Sequence, residues 1–178
     1  MTGLVFELQR DSLNSEIRVS NLLRKALVIS KKLDIIEIEE WLKKELYGYL
    51  STDDIPKYRS VRGEVKVWNP YRGWQPLYFD DIEMAEKFSE RNTCQSIAEL
   101  ESLSESDGSR TRMPFPQHIE RFLMKSMEFP LQPTLITDKT EIIGILDFVR
   151  NIILNWSLEL EQKGIFGEGM SFSNEEKR

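Results

Sequence analysis

The chain is 178 residues long, 40% hydrophobic and 30% charged, with a formal net charge of −6 and a pI near 5.0. That is enough for one compact domain with its own core, and two domains would be a squeeze. So acidic a chain is not built primarily to hold a nucleic-acid backbone, and its single cysteine, Cys94, leaves no internal disulfide and no zinc spacing. A protein partner and a reducing, cytoplasmic setting are the first expectations, with no structural metal.

In chain order, Leu4 to Leu13 places Leu4, Val5 and Leu8 on one helical face. Met1 to Arg10 carries Glu7 and Arg10 and does not read as a secretory signal. Ser20 should cap a second helix, in which Leu22, Leu23, Ala26, Leu27 and Leu33 oppose Arg24, Lys25, Lys31 and Lys32. Its basic residues gather toward the C-terminus, where the helix dipole favours them. Asp34 and Glu37 form a D-x-x-E capping box for a third helix with Ile35, Ile38, Trp41, Leu42 and Leu46 on one face. The short join predicts an antiparallel helical hairpin.

After Gly48 the helix is broken by Ser51, Thr52, Asp53, Asp54 and Pro56. Val61, Gly63, Val65 and Val67 then alternate with Arg62, Glu64, Lys66 and Trp68, which is a strand pattern. Asn69 to Gly73 supplies turn residues, and Trp74 to Phe79 returns as a second strand that Pro76 assigns to an edge. A lone hairpin is marginal in water, so Met113 to Phe115 or Leu131 to Thr137 is expected to add a strand. Between them come a helix over Asp81 to Glu90, a capping box at Ser96 and Glu99, a mobile serine-rich loop over Ser104 to Arg112, and a helix over Gln117 to Met127.

The longest helical pattern runs from Lys139 to Lys163. Its apolar residues, among them Ile142, Ile145, Phe148, Val149, Ile153 and Trp156, cover so much of the circumference that it is expected to be buried on most sides. Asp138 with Glu141 should cap it, and Gly164 should end it with Ile165 folded back on Leu160. The fold expected is α+β and predominantly helical, packed around this C-terminal helix with a small antiparallel hairpin or sheet. Residues 1–172 form a single domain in this reading, and 173–178 form a polar tail that frays or begins a linker.

No constellation of catalytic residues emerges. His118 stands at an expected helix start, Cys94 has no basic neighbour nearer than Arg91, and the members of the pairs Glu39-Glu40, Asp53-Asp54 and Asp80-Asp81 point in different directions. No catalytic residue, metal ligand or cofactor is therefore expected, and no membrane span. Two stretches carry more aromatic surface than their turns need. Trp68, Tyr71, Arg72 and Trp74 crowd a hairpin tip with residues favoured at binding hot spots, which can also stack nucleobases. Phe166, Glu168, Met170 and Phe172 lie among glycines after the long helix. These eight are the expected partner-facing residues. The plainer reading puts one tryptophan under the hairpin and docks the phenylalanines onto the domain itself.

Val19 to Leu27, Glu39 to Tyr49, Trp68 to Trp74, Gln95 to Ser102 and Gly164 to Ser173 together resemble the AbiTii domain, a bacterial family named for abortive infection against phage. The resemblance spans nearly the whole chain and implies a defence-associated domain, often N-terminal to others, with no catalytic residues to transfer. Self-association as a non-enzymatic interaction module is the first expectation. A nucleic-acid-binding or nucleolytic component using the hairpin residues, helped by Arg24 and Lys25, is the second, and a growth-arresting toxin the third.

Overall fold

A computed structural model of the chain describes residues 3–50 and 53–177; Ser51 and Thr52 of the expected helix break lie outside them. In chain order the elements are α1 (Leu4–Leu13), α2 (Val19–Leu33), α3 (Ile36–Tyr47), β1 (Ser60–Asn69), β2 (Gly73–Pro76), α4 (Ile82–Ser89), β3 (Glu90–Asn92), α5 (Ile97–Glu105), β4 (Arg110–Pro114), α6 (Gln117–Lys125), β5 (Pro133–Asp138) and α7 (Lys139–Gln162). The fold is α+β and helix-dominated, with a long C-terminal helix and a small antiparallel sheet. Contacts group it into two compact units. One comprises Met1–Ile55, Cys94–Glu105 and Ile143–Arg178, the other Pro56–Thr93 and Ser106–Ile142. Each is assembled from segments distant in sequence, so no linker composition announces the division.

The first unit is helical. Leu22, Leu23, Ala26 and Ile29 of α2, Leu42 of α3, and Ile97 and Leu100 of α5 are fully buried. The expected α2–α3 hairpin forms, but its capping is different. Asp34 sits in the left-handed region (φ 59°) and closes α2, its N–H donating to Ser30 and Lys31 carbonyls, so Ile35 and not Asp34 is the N-cap residue of α3. Ser20 does not cap α2 either, since the helix begins at Val19. The backbone N–H of Ser20 is instead satisfied from 81 positions away, by the buried carboxylate of Glu101 on α5 at 3.1 Å. The local box at α5 is present, with Ser96 Oγ accepting from Glu99 N–H and the Glu99 carboxylate accepting from Ser96 N–H.

On α7 the buried positions Ile145, Val149, Ile153, Ser157 and Leu160 follow a three-and-four spacing. Phe148, Ile143 and Leu158 off that stripe are exposed, Phe148 by 49%. The expectation of burial on most sides is corrected to one stripe, an outcome helices tolerate because scattered exposed apolar residues are common. Gly164 (φ 75°) ends the helix as expected, with Ile165 N–H donating to the Leu160 carbonyl at 2.9 Å. At its start the expected box is absent. Asp138 closes β5, and the Glu141 carboxylate accepts from the backbone N–H of Arg62 on β1.

The second unit is built on the sheet, ordered β2-β1-β5-β4, with β3 also paired to β1 and all pairings antiparallel. Both stretches suggested as extra strands are used. Residues 110–112, expected in a mobile loop, are strand residues of β4, because Thr111 and Met113 alternate inward against β5. Gly63 lies in mid-strand where a Cβ would fall on the Ile136 carbonyl, so β1 and β5 approach closely only with glycine there. Pro76 does lie in an edge strand. Strand alternation divides the sheet. Val61, Val65, Val67, Leu135 and Met113 take the buried face, on which Phe88 of α4 meets Phe79, Phe115 and Phe122.

Candidate functional site

The opposite face of the sheet carries the side chains that could do something. Register sets them in rows: Glu64, Ile136 and Arg112; then Pro76, Lys66, Thr134 and Pro114; then Trp74 and Trp68. Trp68 and Trp74 are cross-strand partners, and their rings meet edge to face at 5.4 Å between centroids. The guanidinium of Arg112 reaches across the face from the far edge strand and lies 5.1 Å from the Trp74 ring. An Arg–Trp stack of this kind holds both planes while leaving the outer N–H groups open.

The turn that presents these rings is made by Asn69, whose side-chain oxygen accepts from the N–H groups of Tyr71 and Arg72 at 2.9 and 3.2 Å. Such an Asx turn frees the side chains of residues 71 and 72 from any role in the bend. Tyr71 is accordingly 96% exposed and Trp68 50%, with Arg72 also exposed. Most cations on this face have a carboxylate partner. Lys66 pairs with Glu64 at 2.9 Å, Arg62 with Glu90 at 3.3 Å and Arg110 with Asp138 at 3.6 Å. Hydrogen bonds from Lys66, and its charge, hold the Glu64 carboxyl below its ordinary range. Arg72 and Arg112 have no such partner among the described residues.

The expected basic helpers Arg24 and Lys25 belong to the other unit, where Lys25 pairs with Asp11 at 2.6 Å and Arg24 bonds Asn21. Sequence reasoning missed Arg112 in their place. It stood in a serine-rich stretch read as mobile, and only the β4–β5 register turns it toward the tryptophans. The alternation Thr111, Arg112, Met113 was the available signal.

The C-terminal stretch is placed differently. The first N–H groups of α1, which has no side-chain cap, donate to its carbonyls: Leu4 to Gly167 at 3.1 Å and Val5 to Phe166 at 3.2 Å. Phe166 stacks on Phe6 at 5.4 Å and 12°. Phe172 is 7% exposed and lies against Gly167. The Glu176 carboxylate accepts from the N–H groups of Ser173, Phe166 and Gly167 at 2.7, 2.8 and 3.1 Å, which holds its pKa down at about 2. Residues 174–177 therefore form a turn where fraying was expected. Glu168 is exposed, and the side chain of Met170 lies outside the described structure.

His118 is exposed on α6 and Cys94 is half-buried in the other unit. Among the described residues no helix is long and apolar enough to cross a membrane, and no group of histidine, cysteine and acidic side chains could hold a metal ion. Fold and surface together define a helix-dominated α+β protein that displays an aromatic and arginine-bearing sheet face. The chain belongs to the AbiTii family, whose family model matches residues 3–178. That membership associates it with abortive infection, a bacterial defence against phage. No curated protein and no solved structure gives a significant match.

Proposed function

We propose that the chain is a non-enzymatic recognition module of a bacterial abortive-infection system, acting in the cytoplasm by capturing a partner on the hairpin turn that bears Tyr71 and Arg72 and the adjoining sheet face that bears Trp68, Trp74 and Arg112. The observation that supports this most is Tyr71. Its ring stands 96% in water in the turn that joins Trp68 to Trp74, although the Asn69 turn needs no aromatic there. Exposed aromatics grouped with arginine are the residue types that dominate binding surfaces once a partner covers them.

Light-scattering mass, measured beside circular-dichroism melting, tests the reading on a Tyr71→Ala/Arg72→Ala double variant. The expected result is an unchanged melt with loss of self-association or of partner capture. Loss of the fold along with capture would show these side chains to be structural. Growth arrest on expression of the chain in the absence of phage, retained by the double variant, would favour a toxin acting elsewhere on the molecule.

A further inference from the structure

Taking this face to be the recognition surface, we infer that its partner is single-stranded nucleic acid, held by stacking of unpaired bases on Trp68 and Tyr71 with phosphates taken by Arg72 and Arg112. Tryptophan, tyrosine and arginine also mark protein interfaces, and what favours nucleic acid here is the charge set among them. The buried centre of a protein–protein interface is depleted in charged residues. Here charged side chains lie on the same face as the rings: Lys66, flanked by Pro76 and the buried Thr134, is in the row next to the tryptophans, and Glu64 and Arg112, on either side of the buried Ile136, are in the row after. Aromatic planes alternating with cations are what a chain of bases joined by phosphates meets well, because each base presents a flat π-face and each link a negative charge.

The charge pattern points the same way. Lys66, Arg62 and Arg110 are held by Glu64, Glu90 and Asp138. On this face and its turn, the cations left without a carboxylate among the described residues are Arg112, which lies over Trp74, and Arg72, which follows Tyr71 in the chain. The stack on Trp74 orients the Arg112 guanidinium without neutralising it.

A single strand is favoured over a duplex for two reasons. Duplex bases are already stacked on one another and offer no face to Trp68 or Tyr71. A chain of net charge −6 also repels the dense charge of a duplex more than it repels a short single strand. Contact to two phosphates implies a shallow salt dependence, with a slope of log K on log salt of about −1.4 for a single strand. Binding led by stacking and assisted by two arginines fits an acidic protein, whereas a long electrostatic track would not.

Fluorescence anisotropy of a short fluorescein-labelled oligouridylate and oligothymidylate, with a duplex of equal length as control, tests this on the full chain. Wild type is expected to bind a single strand more tightly than the duplex. Tyr71→Ala is expected to weaken binding about tenfold with unchanged melting, and Trp68→Ala to weaken it about tenfold while lowering the melt through loss of the Trp68–Trp74 pair, each corresponding to loss of one stacked base. Arg112→Gln is expected to reduce the salt slope to about −0.7, as loss of one phosphate contact requires. Absence of binding at low salt, tighter binding of the duplex, or wild-type affinity in all three variants would overturn the inference. If no oligonucleotide binds but light scattering shows an assembly that Tyr71→Ala dissolves, the surface remains a recognition site and only the assignment of nucleic acid falls. If neither oligonucleotide binding nor assembly depends on these residues, both readings fall.

Discussion

Trp68–Trp74 and Gly164–Ser173 both carry more aromatic side chain than their turns require, and the chain disposes of the two surpluses in opposite ways. In the C-terminal stretch the carbonyls of Phe166 and Gly167 take the first free N–H groups of α1, Phe166 stacks on Phe6, and Phe172 is buried against Gly167. In the hairpin, Asn69 satisfies the turn by itself and leaves Tyr71, Arg72 and half of Trp68 in water. A surplus of apolar surface thus marks a stretch that must be covered, and the neighbouring backbone decides by what. α1 begins without a side-chain cap and offers donors for the C-terminal segment to meet, whereas the Asx turn asks nothing more of its own unit.

The contrast can be broken most directly at Phe172. Phe172→Ala should destabilise the fold by roughly 3 kcal/mol, the range for deleting a buried aromatic ring, as read by chemical denaturation. An effect near zero would place that ring with the hairpin aromatics. Gly167→Ala comes next. The residue has φ 67°, and a Cβ would stand 2.6 Å from the Phe172 ring, so strain and overlap together should cost about 1–3 kcal/mol. A neutral Gly167→Ala would mean that Phe172 is free to move away.

A smaller effect is expected from pH. Glu176 has its folded pKa depressed from 4.5 to about 2, chiefly by the Ser173 N–H and then by those of Phe166 and Gly167. What its charge contributes to the C-terminal segment is therefore complete above pH 4.5 and is lost as pH falls toward 2. Amide resonances of Phe166, Gly167 and Ser173 should shift across that window in wild type and stay flat in Glu176→Gln. A transition centred near pH 4.5 would show that the carboxylate is not bonded to them. The smallest effect on stability belongs to the hairpin, where Tyr71→Ala with Arg72→Ala should leave unfolding within about 0.5 kcal/mol of wild type, as exposed substitutions do.

Elements with strong local signals were legible in the sequence: the ends of α1, the Ser96–Glu99 box, the Gly164 stop and the alternation of β1. What could not be read was non-local. The N-terminus of α2 is served by Glu101, and Glu141 serves β1 instead of its own helix, because a carboxylate takes whichever N–H the tertiary fold brings to it. The same limit hid part of the candidate surface. Trp68, Tyr71, Arg72 and Trp74 are contiguous enough to stand out, but Arg112 joins them only through the β1–β5–β4 register. The serine-rich composition around residues 104–112 masked a strand whose pairing with β5 supplies the order that its own residues do not.

The most direct test of the division between a displayed surface and an internal one is an amide NMR titration of the full chain with a short single-stranded oligonucleotide, following residues 66–76, 110–114 and 164–176 together. Perturbations should cluster at 66–76 and 110–114 and leave 164–176 unmoved. Perturbations led by 164–176, or none at either hairpin or β4, would contradict the assignment of recognition to the sheet face.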